Sequence, residues 1–144
     1  MPRLLAFAVC ERVVLEEGTG NVSLISIFHN LNVGLAQETV PAGAALPIHW
    51  CVFTLWTRDE AVAYGKYEEI CDIRDPNGTV KALSKNIFSM SADSHRNVTR
   101  MFGFPSIPGR YSITLSLRDE SRGTQEELAV YPIELTFHPQ TDGQ

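Results

Sequence analysis

The stretch from Phe104 to Leu117 constrains this chain more than any other. Pro105 and Pro108 bracket Ser106 and Ile107, Gly109 follows, and the residues after it alternate without a fault. Tyr111, Ile113, Leu115 and Leu117 fall on one side, and Ser112, Thr114 and Ser116 on the other. That is the period of two expected of a strand with one buried and one wet face. A proline and glycine corner leading into such a strand belongs to a sandwich, not to a helical fold.

Pro108, Gly109 and Tyr111 have a structural reading of their own. An inward tyrosine directly after a corner matches the tyrosine corner of immunoglobulin-like sandwiches, whose phenolic hydroxyl bonds back to the backbone of the preceding loop. These three residues are therefore expected to serve architecture and not chemistry.

Apolar runs recur elsewhere at short spacing with turn residues between them, giving about eight strands. They are read at 3–14, 22–33, 48–57, 61–74, 79–83 joined with 86–91, 97–104, 110–117 and 127–137. Ala36 to Pro47, rich in Pro, Gly and Ala, is expected to carry the chain from one sheet to the other. Asp75-Pro76-Asn77-Gly78 is a turn with a mechanism, since proline presets φ and glycine accepts a positive φ. Pro132 removes a ladder donor from the last strand, which marks it as an edge or a bulged strand. The expected architecture is all-β, an antiparallel immunoglobulin-like or jelly-roll-like β-sandwich over residues 1–138, with a disordered tail at 139–144.

At 144 residues the chain has the size of one domain, long enough to bury a core without staples. Its three cysteines, Cys10, Cys51 and Cys71, are odd in number and each sits in an apolar run, where a thiol acts as a small hydrophobe. That usage, and an opening apolar run ending in Glu11 and Arg12 instead of small residues, favours a cytoplasmic protein. A formal charge of −5 opposes a nucleic-acid surface, and no apolar run reaches the length of a membrane span.

Motifs of catalysis are missing: no nucleophile elbow, no phosphate loop, no HExxH. His49 and Cys51 share a strand face, but a metal needs three or four convergent ligands, so no metal and no cofactor are expected. Asp72, Asp75 and Asn77 around the proline turn suit calcium less well than they suit turn formation. Trp50 and Trp56 are the foremost binding candidates, with Thr54 between them. Alternation sets them opposite Cys51, Phe53 and Leu55; if that face is core, the tryptophans point outward as interface anchors. The competing reading is that a loop such as Ala36 to Pro47 covers them.

The opening strand ending in Cys10-Glu11, the segment Gly20 to Phe28, the Asp75 to Gly78 turn and the run Gly103 to Tyr111 together resemble an uncharacterised bacterial family of small, single-domain β-sandwich proteins. The resemblance spans nearly the whole chain. It implies a sandwich in a cytoplasmic setting and brings no active site with it. The function expected is a non-enzymatic protein-interaction module, joined to a partner protein or to a second copy, working through Trp50 and Trp56 or through an exposed edge such as the Pro132 strand. The alternative is a small-ligand or carbohydrate-binding sandwich. A hydrolase or metal enzyme ranks last.

Overall fold

A computed structural model describes residues 1–59 and 65–139 of the chain. Among these the fold is all-β, with nine strands: β1 (Arg3–Leu15), β2 (Val22–Ile27), β3 (Asn30–Val33), β4 (Ala45–Thr57), β5 (Lys66–Arg74), β6 (Val80–Ser89), β7 (Ser94–Pro105), β8 (Gly109–Asp119) and β9 (Thr124–Phe137). They form two packed sheets, one ordered β2-β1-β4-β7 and the other β3-β9-β8-β5-β6. The tail residues 140–144, and the start of the strand expected from residue 61, lie outside the described residues.

The extra strand arises from a break inside the expected 22–33 strand. The Phe28 amide donates to the Val9 carbonyl of the first sheet, while the next carbonyl, of His29, accepts from Glu134 in the second. Two residues thus move the chain between layers, and β3 then runs parallel to β9, the one departure from antiparallel pairing among the described residues. The 36–47 connection returns the chain from β3 in one sheet to β4 in the other, as its composition suggested.

The alternation read in β8 is realised in full: Tyr111, Ile113, Leu115 and Leu117 are all completely buried in the main core. Pro132 sits where its missing N–H costs nothing. In a strand, amides two apart point the same way; the Glu134 amide points to the β3 side, so Pro132 faces that side before β3 pairing begins at Glu134. Of the two expectations for this strand the bulge holds, at the step between Leu115 and Ser116 of its partner β8, and the edge does not, since β9 lies between β3 and β8.

The outward placement of Trp50 and Trp56 is overturned. Both are buried, at 1% and 0% exposure, and Thr54 with them, on the face of β4 turned towards the opposite sheet. Cys51, Phe53 and Leu55 take the outer face, yet they too are covered. The reason is the β1–β2 hairpin. β1 pairs with β4 only from Arg3 to Cys10, then with β2 alone over the rest of its length. Its far half folds across the outer face, setting Val13, Val22 and Leu24 against Cys51, Phe53, Leu55 and Val98. Arg96 on β7 closes the flap by donating to the Gly20 carbonyl in the hairpin turn.

Candidate functional site

Edge strands decide where this sandwich can be approached. β6 and β7 are the last strands of their respective sheets and, joined directly in sequence, lie on the same side of the molecule. Between them, at the end where the Asp75 turn meets the Pro105–Gly109 corner, is a cleft of about 330 Å³. Ile73, Leu83, Phe104 and Tyr111 supply apolar walls, and Asp75, Thr79 and Lys81 the polar rim.

Local sequence explains the opening. β6 bulges at Leu83, because Cys71 pairs with Ser84 but Asp72 pairs with Ala82. Opposite Gly103 of β7 the partner strand β4 carries an extra residue, since Leu46 pairs with Phe104 but His49 pairs with Phe102. Gly103 has φ of +93°, a conformation that side chains disfavour. At the corner, Gly109 is needed for space as much as for its φ of +131°: a Cβ there would meet Pro76 at 2.9 Å. The corner is thereby clamped against the Asp75 turn, whose Asp75 Oδ1 accepts the amides of Asn77 and Thr79, both at 2.9 Å. Asp75 is used by its turn, as the turn reading required, and Asp72 pairs within the sheet between Thr114 and Ala82.

Tyr111 and Trp50 build the floor beneath. The Tyr111 hydroxyl donates to the Ile107 carbonyl at 2.5 Å, the geometry of a tyrosine corner. Burial, and then the nearby negative charge of Asp75, push this phenol up to about 12. Phe104 packs edge-on against both Tyr111 and Trp50, at centroid distances of 5.0 and 5.5 Å. The Trp50 indole donates to the Gly103 carbonyl at 2.9 Å, holding the irregular stretch of β7 in place. Trp50 therefore shapes the cleft from inside the core and is no surface anchor.

Trp56 and Thr54 belong to a second constellation, towards the other end of β4, that residue patterning missed. Glu69 of β5 is 1% exposed, and its Oε2 accepts Thr54 Oγ1 at 2.5 Å, Trp56 Nε1 at 2.7 Å and Asn97 Nδ2 at 2.9 Å. Because that Asn97 amide nitrogen must donate to the carboxylate, its oxygen is left to accept from His95 Nε2 at 2.9 Å. The His95 ring stacks on Phe88 at 4.7 Å, closing the seam between β6 and β7. Glu69 Oε1 has no partner among the described residues. Burial, then the Glu69 charge, push the Cys71 thiol up to about 12, so this cysteine is an inert core group. A signal for Glu69 was available: it sits between Tyr67, Cys71 and Ile73 on the apolar face of its strand.

The remaining candidates scatter. His49 is exposed and packs against Phe102 with ring centroids 4.6 Å apart and the rings tilted by 47°, on the outer side of the first sheet. Among the described residues no group of three His, Cys, Asp or Glu converges as a metal site, and no helix is long and apolar enough to cross a membrane. Comparison of the chain with protein-family models and with curated proteins finds no match.

Proposed function

We propose that the protein is a non-catalytic interaction module that takes an extended segment of a partner protein into the cleft between β6 and β7. The observation that carries this reading is the coincidence of an apolar cleft with two strand edges that no further strand pairs with among the described residues. An edge offers a row of unpaired N–H and C=O groups, and an apolar hollow beside it accepts alternate side chains of an added strand. The earlier carrier of an interaction role, a pair of exposed tryptophans, is replaced by this edge and by Trp50 acting from below.

Three buried, unpaired cysteines support a reducing, cytoplasmic setting. The Tyr111 corner supports an immunoglobulin-like rather than a jelly-roll-like sandwich. A second reading rests on the same cleft: about 330 Å³ with a few polar groups at the rim also suits a small ligand. Amide hydrogen exchange separates the two when the protein is mixed with short peptides of alternating apolar and polar residues. Strand addition slows exchange along β6 or β7 and leaves β2 and β3 unchanged; protection confined to the cleft floor, or none, contradicts it.

A further inference from the structure

We infer that the segment accepted at this cleft is acidic: an extended stretch alternating apolar residues with Asp or Glu. The inference rests on the strand-accepting role proposed above and specifies its partner. β6 and β7 carry Lys81, Lys85, Arg96 and Arg100 and not one Asp or Glu, in a chain whose formal charge is −5. The other two terminal strands of the sheets, β2 and β3, carry no formal charge at all. Among the four edge strands, formal charge is thus confined to the two that frame the cleft, and there it is all positive.

Register brings one of these cations to the mouth. Lys81 pairs with Ile73, an inward residue, and lines the cleft, exposed and without an ion pair among the described residues. Among the described residues Asp75 is the one carboxylate in the lining, and its Oδ1 is turned onto the amides of Asn77 and Thr79. Lys85 follows on the outer side of β6, opposite Ile70. A strand added to β6 would present alternate side chains to the hollow, by Leu83, Phe104 and the Lys81 at its mouth, and the rest to the outer side, by Lys85.

Self-pairing through these edges is opposed by the same charges. Joining β6 to β6 of a second copy, or β6 to its β7, sets lysine against lysine or arginine, and like charges directly opposite are destabilising. An acidic strand meets no such penalty, and its approach is hastened by attraction that salt would weaken.

The test uses three fluorescein-labelled peptides of equal length, with valine and isoleucine alternating with glutamate, with lysine or with serine, read by fluorescence anisotropy against the full chain. The glutamate peptide is expected to bind about ten-fold more tightly than the serine peptide, and the lysine peptide most weakly. Lys81→Glu and Lys85→Glu, both at exposed positions, should abolish or invert that order while circular dichroism and the melting temperature stay unchanged. Equal binding of all three peptides would overturn the acidic partner yet leave strand acceptance standing. Binding of none would overturn both. A concentration-dependent dimer that Leu83→Asp dissolves would instead give the cleft to a second copy and likewise overturn the inference.

Discussion

Trp50 and Trp56 leave one strand on one side, six positions apart, and serve unlike surroundings. Trp50 donates to a neutral backbone carbonyl beside an open cleft, among aromatic rings. Trp56 shares a buried carboxylate with Thr54 and Asn97. A neutral hydrogen bond contributes about 1 kcal/mol net, and a bond to a buried charge about twice that. The donors around Glu69 also depend on one another, since losing the carboxylate leaves three polar groups stranded without water. One end of the sandwich is therefore fastened by a polar clasp, which leaves the apolar end free to be open.

The largest test of that contrast is Glu69→Ala, which should cost about 4 kcal/mol by stranding the Thr54, Trp56 and Asn97 donors in the core. Urea unfolding reads it, and a loss below about 1 kcal/mol would show that the clasp fastens little. Next come the two tryptophans compared under identical conditions. Trp56→Phe is expected to lose about 2 kcal/mol and Trp50→Phe about 1 kcal/mol beyond their shared loss of ring area. The reverse order would break the comparison.

Gly103→Ala should cost about 1 kcal/mol, because φ of +93° disfavours a side chain, and it should disturb the cleft more than the clasp. Its Cβ would meet Ala45 Cβ at 3.4 Å, an ordinary contact, so backbone strain and not collision is the cause.

The last effect is silent at neutral pH and appears only in alkali, at Tyr111. Its folded pKa is raised from 10.0 to about 12, so the folded state holds the proton more tightly than the unfolded chain. The stability it lends is complete below pH 10 and drains away as the pH rises towards 12. Tyr111→Phe should flatten that part of the alkaline unfolding curve, leaving the shares of Cys71, which is raised from 9.0 to about 12, and of Cys10, Tyr67 and Tyr131, which burial also raises. An unchanged curve would mean that the phenol is not held by the corner.

Much of the architecture was legible because it is local. Alternation in β8, the Asp75 turn, the corner at Pro108 to Tyr111 and the donor lost at Pro132 each depend on a few neighbouring residues. The faces of β4 were not legible, because alternation assumes that one side is wet. β4 is an inner strand with the opposite sheet on one side and the β1–β2 flap on the other, and the flap closes through Arg96 and Gly20, far apart in sequence. The cleft escaped for the same reason: its parts come from β5, β6, β7 and β8, and only register brings Lys81 over Phe104 and Tyr111. Glu69 escaped as well: it stands beside Glu68 in the sequence, and only its place on the face of Tyr67, Cys71 and Ile73 sets the two apart.

Because Trp50 contacts the cleft wall and Trp56 does not, each variant with one tryptophan reports on one end of the molecule. The decisive measurement is tryptophan emission during titration with the valine–glutamate peptide, in Trp56→Phe and in Trp50→Phe. The expected result is a shift in the variant that keeps Trp50 and a silent Trp56 in the other. A shift that follows Trp56, or none in either variant, would contradict binding at the β6–β7 cleft.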